Sequence, residues 1–269
     1  MVAVSFWHNL TCRRICCGLV FTVAKGAQLA RVTVFLVMLL WIHSACADFI
    51  AGTAFFLNKK GEMLTNRHVV QSCKVGSILV KTSDKVVHRA RLLAIDTEFD
   101  LAAITIDSPV SAFASVRTVP GSRSVFVTDD VEDVFSSGFS DPAKHNFEKQ
   151  YRWGQIQPGG SPHAPPYVNI LRMDTLPGAS GSPVLDYHAL LVGVIFASSK
   201  SPAYDPTRLA RYGYGDKWIL IHNLNAIVKF ANRYGIQYYK WDQLDTKDPV
   251  FIFGHADNVT GLVLCADAR

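Results

Sequence analysis

Charge is scarce in this sequence. Only 18% of its 269 residues are Asp, Glu, Lys or Arg, against 49% apolar, which excludes a disordered or low-complexity chain. Acidic residues are missing altogether from the first 47 positions, where Arg13, Arg14, Lys25 and Arg31 are basic. Without that stretch the formal net charge falls from +5 to +1, so the compositional case for a nucleic-acid partner disappears. No apolar run reaches the ~20 residues that a membrane-spanning helix needs, which argues against a multi-pass membrane protein. Metal-ligand spacing is lacking as well, because no second Cys or His pair stands where a zinc site requires one. Neither a metal nor an organic cofactor is expected.

What the first 47 residues do contain is a leader. Val32–Ile42 is an uncharged apolar run of eleven residues behind Arg31, and Ala45-Cys46-Ala47 forms an A-x-A exit. A basic flank, a 7–15-residue apolar run and small residues at the end describe a secretory signal peptide. Residues 1–47 are therefore expected to be removed, leaving 222 residues that begin at Asp48. Residues 1–28 are long for a leader's basic region, which suggests an overextended start. An uncleaved anchor through residues 32–47 is the alternative, and only then would a membrane be a partner. Export implies a secreted or periplasmic protein.

Export also changes the meaning of cysteine. Four of six (Cys12, Cys16, Cys17, Cys46) fall in the leader, leaving Cys73 and Cys265. In an oxidising compartment Cys73 and Cys265 are expected to form one disulfide that ties the C-terminal tail back to the N-terminal barrel; two unpaired buried thiols is the other reading. The tail segment Asn258–Cys265 has the β-branched and apolar content of a strand and needs an edge to pair with.

Helical periodicity is rare after residue 48. Short β-branched and aromatic runs replace it: Gly52–Leu57, Ser77–Thr82, Val86–Ile95, Leu101–Ile106, Ser124–Thr128, Tyr167–Met173, Leu190–Ala197 and Lys217–Ile221. Gly, Asn, Asp and Pro punctuate them, which predicts an all-β sandwich or barrel pair. One amphipathic helix is expected over Asn223–Arg233, where Leu224, Ile227, Val228, Phe230 and Ala231 recur at helical spacing before Tyr234-Gly235.

Three segments carry chemistry. Leu64-Thr65-Asn66-Arg67-His68-Val69-Val70 places a histidine at a chain reversal after a strand. Asp100-Leu101-Ala102-Ala103-Ile104 opens an apolar strand with an aspartate. Pro177-Gly178-Ala179-Ser180-Gly181-Ser182-Pro183 sets a serine between glycines. A serine hydroxyl needs an adjacent base, usually histidine, and the histidine needs a carboxylate to hold its tautomer. Glycines beside the serine permit a turn that aims backbone N–H groups at an oxyanion. The order His, Asp, Ser is that of the chymotrypsin barrels, whereas subtilisin and α/β-hydrolases use other orders. The Gly-x-Ser-x-Gly elbow is absent, since Ser182 stands where its second glycine would fall.

With these motifs the chain resembles the trypsin-like serine peptidases of the chymotrypsin fold, in particular the bacterial HtrA-type and glutamyl-endopeptidase-type branches. GTAFFLNKKGEMLTNRHVV and DLAAITID are similar to the first, and DTLPGASGSPVLD to the second. The resemblance implies two six-stranded antiparallel β-barrels, dividing near residue 118, with the site between them and a C-terminal helix. It assigns His68 as general base, Asp100 as its orienting carboxylate, Ser180 as nucleophile and the N–H groups of Gly178 and Ser180 as the oxyanion hole. The peptidase domain is expected over residues 48–235, with 236–269 as a tail too short for a PDZ domain. Asp174, Ile195, Phe196 and Ala197 are candidates for the substrate pocket. Ile195 stands where glutamyl endopeptidases carry a specificity histidine, so an acidic preference is not implied.

Some residues depart from the pattern or compete for roles. Arg67 replaces the small residue usual before the histidine. Ala179 replaces the aspartate that zymogen-activated members pair with a new N-terminus. Asp96 and Glu98 are alternative carboxylates that read as loop charges, and His222, like the remaining histidines, reads as structural. Tyr204, Tyr212, Tyr214 and Trp218 border the expected cleft and read as packing residues. The leading function is an exported serine endopeptidase acting on polypeptides through an acyl-enzyme. A catalytically silent binding module on the same fold is the rival, since fold alone does not fix function.

Overall fold

Short strands ended by turn-forming residues close into two barrels. The computed structural model describes residues 50–118, 132–156, 166–174, 178–198, 218–242 and 245–265. The first barrel takes β1 (Ile50–Phe56), β2 (Glu62–Asn66), β3 (Ile78–Lys81), β4 (Val87–Asp96) and β5 (Leu101–Thr105) from the N-terminal half, and β14 (Thr260–Cys265) from the end of the chain. Its closed order is β1-β14-β3-β4-β5-β2. The second barrel consists of β7 (Glu132–Gly138), β8 (Gln150–Ile156), β9 (Val168–Arg172), β10 (Pro183–Leu185), β11 (Leu191–Ser198) and β12 (Trp218–Asn223). It closes because β10 pairs with both β7 and β11. Two short strands, β6 (Val116–Arg117) and β13 (Lys240–Trp241), extend it by parallel pairing beside β11. Three helices complete the described elements: α1 (Arg67–Val70), α2 (Leu224–Tyr234) and α3 (Pro249–Val259). None is long and apolar enough to cross a membrane.

One apolar core joins the two barrels. Phe55, Leu64, Phe99 and Leu101 of the first share a buried cluster with Val184, Leu191, Val194 and Ile221 of the second, and with Phe230 of α2. A separate cluster (Phe56, Met63, Val80, Ala102, Ile104, Val263) fills the first barrel alone.

The expected helix is α2, and its ends follow the expected chemistry. Asn223 accepts a hydrogen bond from Asn225 N–H at 3.0 Å, and Gly235 adopts a left-handed conformation (φ 66°) just past the last turn. The stretch 236–269, set apart in the sequence as a tail, carries β13, α3 and β14. Its last strand pairs with β1 over six residues and with β3 over four, filling the gap between them. The tail is thus a stave of the first barrel, because a five-stranded sheet would leave two open edges.

Helix α3 has no counterpart among the sequence expectations. Its residues are apolar on several sides and include Gly254, so periodicity is weak. Its ends decide instead: Asp248 accepts from Val250 N–H at 2.8 Å with Pro249 in the first turn. The Lys149 ammonium donates to the Asp257 carbonyl at 2.7 Å, to the Asp257 carboxylate at 2.8 Å and to the Thr260 carbonyl at 3.0 Å. That cation suits a helix C-terminus and fixes the step from α3 into β14. The expected leader, the run Ser124–Thr128 and the aromatic residues Tyr204, Tyr212 and Tyr214 lie outside the described residues.

Candidate functional site

The histidine is placed by packing beneath it. β2 runs into α1 at Asn66, and Val69 and Val70 of α1 are buried. Gly52 of β1 lets that helix approach, since a Cβ there would lie 2.6 Å from a Val69 methyl. His68 is thereby left with a side chain 39% exposed at the mouth of the first barrel.

Asp100 is presented to it by a left-handed turn. Its φ is 50°, a conformation that a short polar residue tolerates. Its carbonyl accepts from Arg67 N–H at 2.8 Å and from the Asn66 side-chain amide at 3.1 Å. With the backbone so anchored, the carboxylate faces α1. Oδ2 lies 2.6 Å from His68 Nδ1, while Oδ1 accepts from His68 N–H at 3.1 Å and from Arg67 Nε at 3.4 Å.

The preceding turn explains why Asp96 and Glu98 are not free to compete for His68. Asp96, 2% exposed, accepts from the N–H groups of Glu98 and Phe99, from Arg233 Nη1 at 2.6 Å and from the Tyr234 hydroxyl at 3.2 Å. Burial pushes its carboxyl up, but the Phe99 N–H and Arg233 outweigh that and hold it below the usual carboxylate range. Glu98 pairs with Arg233 at 3.0 Å. The end of α2, which follows the second barrel, is thereby tied to the loop that presents Asp100.

Ser180 sits in a turn with two glycines in conformations closed to other residues, Gly178 (φ 97°) and Gly181 (φ 86°). A Cβ on Gly181 would collide with the Thr53 carbonyl and the Thr65 hydroxyl. The turn is held from both barrels. Thr53 N–H of β1 donates to the Ser180 carbonyl at 2.9 Å, and the Thr53 hydroxyl donates to the Gly178 carbonyl at 3.2 Å. On the other side Gly181 N–H donates to the Ile195 carbonyl at 2.8 Å, and Ile195 N–H to the Ser182 carbonyl at 3.0 Å. Thr65, three residues before His68, donates its hydroxyl to the Thr53 carbonyl at 2.6 Å. Thr53 therefore joins the strand that leads to His68 with the turn that carries Ser180. Sequence reading assigned no role to Thr53, although it lies within the Gly-Thr-Ala-Phe-Phe motif.

The pocket candidates separate. Asp174 is exposed, and residues 175–177 beside it are outside the described set. Ile195 does not line an open pocket: it is 3% exposed, with its side chain in the core shared by the barrels. The register of β11 against β12 shifts between Ile195 and Ala197, a bulge of the kind that re-aims a side chain. Phe196 there stacks on His222 at 3.9 Å between ring centroids, and Ala197 is half-buried.

His222 reads as a structural histidine in the sequence, and in the structure it lies near the His68–Asp100 pair. It is 3% exposed, and among the described residues neither of its ring nitrogens has a hydrogen-bond partner. Burial pushes its titration down to about 4, against an opposing pull from Asp100 and with a further push from His68. Only nearness to the pair in space reveals this, because position 222 lies outside any local motif of His68 or Asp100.

Cys73, just after α1, is joined to Cys265 at the end of β14, with Cα atoms 5.3 Å apart. Among the described residues no group of three or more His, Cys, Asp or Glu side chains could hold a metal ion.

Comparison with known proteins fits this architecture. Protease Do-like 1, chloroplastic, of Arabidopsis thaliana is 25% identical over 150 residues, which is 54% of this chain and 32% of that protein. The chain spans only 21% and 32% of the length of the curated relatives it matches. The solved structure of a serine endoprotease from Yersinia pestis superposes with a TM-score of 0.52 at 17% identity, over 68% of this chain and 57% of that one. A structure of the HtrA-type protease AlgW with a decapeptide gives 0.51 at 19% identity, over 68% and 51%. At such identities the likeness is one of fold. The description of the trypsin-like peptidase domain family matches residues 52–194, more than half of the sequence and the whole stretch from Thr53 through His68 and Asp100 to the Ser180 turn. The chain belongs to the family of trypsin-like peptidase domains.

Proposed function

We propose that the chain is an exported serine endopeptidase that cleaves polypeptides through an acyl-enzyme. The observation that carries this reading is the contact of 2.6 Å between His68 Nδ1 and Asp100 Oδ2, with His68 N–H on the same carboxylate. A carboxylate at Nδ1 selects the tautomer that leaves the Nε2 lone pair free and stabilises the imidazolium formed later. In this reading Nε2 takes the proton of the Ser180 hydroxyl as its oxygen attacks the scissile carbonyl carbon. The tetrahedral oxyanion accepts hydrogen bonds from Gly178 and Ser180 N–H groups, a contribution of about 3–4 kcal/mol for one donor in a well-studied case. The proton then passes to the leaving amine, and water, activated by the same imidazole, hydrolyses the ester. The doubly anchored Thr53 supports this by tying the Ser180 turn to the His68 strand.

Export is supported by the leader pattern of residues 1–47 and by the Cys73–Cys265 bridge, which suits an oxidising compartment. The AlgW structure with its decapeptide is consistent with a polypeptide substrate. The test is hydrolysis of fluorescently labelled casein by the chain beginning at Asp48. Wild type should turn it over, and Ser180→Ala and His68→Ala should each lose about 10⁴-fold or more. Equal turnover by the alanine variants would end the reading.

A further inference from the structure

Positive charge is gathered on one face of the first barrel. Between positions 74 and 91 stand Lys74, Lys81, Lys85, Arg89 and Arg91, against a single acid, Asp84. Five bases less one acid give this stretch +4, while residues 48–269 together carry +1, so the remainder of them sums to −3. We propose that the outer face of the β3–β4 hairpin docks the protein on an anionic lipid bilayer, its cations against the headgroups and three exposed valines seated among them. Such docking needs no anchoring segment and does not depend on the chemistry of Ser180.

The pleat sorts the two strands. Ile78, Val80 and Ala90 are buried in the core of the first barrel. The residues between them, Leu79 and Lys81 of β3 with Val87, Arg89 and Arg91 of β4, therefore fall on the opposite face. Lys81 stands across from Val87 and Leu79 across from Arg89, so each pair sets a cation beside an apolar side chain. The turns at either end of β3 extend the face with Lys74 and Val75, and with Lys85 and Val86. Arg89 Nη1 donates to the Gly76 carbonyl at 3.5 Å, which brings the first of these turns against β4. Val75 is fully exposed, and Val86 and Val87 are about half exposed.

Little within the protein neutralises this charge. Arg91 pairs with Asp107 at 2.9 Å and Lys85 with Glu148 at 3.8 Å, both through exposed side chains, where an ion pair is weak. Lys74, Lys81 and Arg89 have no carboxylate partner among the described residues. The acid of the hairpin, Asp84, is occupied by the Thr82 hydroxyl and the Val86 N–H. Single valines on a surface are ordinary. Valines set among unpaired cations match a bilayer interface, where charge meets phosphate and methyl groups enter the boundary beneath it. An acidic polypeptide would use the charge alone and leave Val75 in water.

The test is co-sedimentation of the chain beginning at Asp48, within which both barrels close, with two kinds of vesicle. One holds phosphatidylglycerol and phosphatidylcholine in equal parts, the other phosphatidylcholine alone. Wild type should bind the anionic vesicles, release them as salt is raised, and ignore the neutral ones. Lys81→Gln/Lys85→Gln/Arg89→Gln should bind about 100-fold more weakly, from about 5-fold for each cation at an anionic surface. Val75→Ser/Val87→Ser should lose about 5-fold or more. Lys60→Gln/Lys229→Gln/Lys240→Gln removes the same charge from exposed positions elsewhere and should stay within about 3-fold of wild type. Should the hairpin variant unfold by circular dichroism, Lys74→Gln/Lys85→Gln, confined to turns, should still lose about 25-fold. Equal losses in the two triple variants, a valine variant that binds as wild type does, or no binding to anionic vesicles would each overturn the inference. Retention on immobilised polyglutamate without vesicle binding would overturn it too, and would give the face to an acidic polypeptide.

Discussion

Opening the Cys73–Cys265 bridge should cost this protein a large share of its stability. The bridge closes a loop with a sequence separation of 192, for which the chain-entropy relation gives about 5 kcal/mol at 25 °C, at the top of the usual range of about 2–5 kcal/mol. Domains are stable by only about 5–15 kcal/mol in all. Cys265 is fully buried at the end of β14, where it pairs with both Ile50 and Ile78, and Cys73 follows α1 by three residues. Reduction should therefore loosen the closing stave of the first barrel and the base of the helix that carries His68. The assay is urea unfolding of the chain beginning at Asp48, oxidised and with reductant, beside the Cys73→Ala/Cys265→Ala double variant. Reduced wild type keeps both sulfur atoms in place, so its loss reports the cross-link, and any further loss in the double variant reports packing. The expected fall on reduction is about 2–5 kcal/mol, with no effect of reductant on the double variant. Hydrogen exchange should quicken first in Thr260–Cys265 and around Val69–Cys73. Two titratable thiols in the unreduced protein, or a loss below about 1 kcal/mol, would refute the reasoning.

Acid should destabilise the fold through His222. Its folded-state titration near 4 lies below the ordinary 6.5, so the unfolded chain binds more protons between those values; stability is full above pH 6.5 and falls as pH drops toward 4. The 2.5-unit gap is worth about 3 kcal/mol, and His222→Phe should flatten that part of a stability-against-pH curve; an unchanged slope would exclude His222 as its source. Asp96→Ala should cost about 2–3 kcal/mol by removing a buried carboxylate with four donors. It should also lower kcat more than KM as the turn presenting Asp100 loosens, and steady-state kinetics with a chromogenic peptide would read the split.

The sequence was most legible where chemistry and local geometry coincide. His68 and Asp100 stand in short motifs, and Asn223 with Gly235 marks both ends of α2. The tail strand could be read from its β-branched content and its need for an edge, though not which edge it would take. Less legible were elements that depend on distant partners. β7 carries Glu132 and Asp133, poor strand formers that find partners only in the fold, Arg117 for Glu132 and Gln155 and Tyr187 for Asp133. α3 depends on Lys149, more than a hundred residues away in sequence. At the site the same division holds. The pair His68–Asp100 was visible, but the contacts of Arg67 with Asp100, the junction at Thr53 and the buried ring of His222 arise from tertiary contacts. Ile195, which the resemblance places at the substrate pocket, is buried in the core shared by the barrels, as are its β11 neighbours Val192 and Val194.

The central claim is that Ser180 is the nucleophile of a serine peptidase, and the most direct measurement is to find the atom that a fluorophosphonate modifies. The chain beginning at Asp48 should be treated with the probe, digested and mapped by tandem mass spectrometry. The account predicts one stoichiometric adduct on the peptide carrying Ser180, slowed strongly in His68→Ala and absent in Ser180→Ala. An adduct on another residue, or none in a folded protein with its disulfide intact, would contradict it.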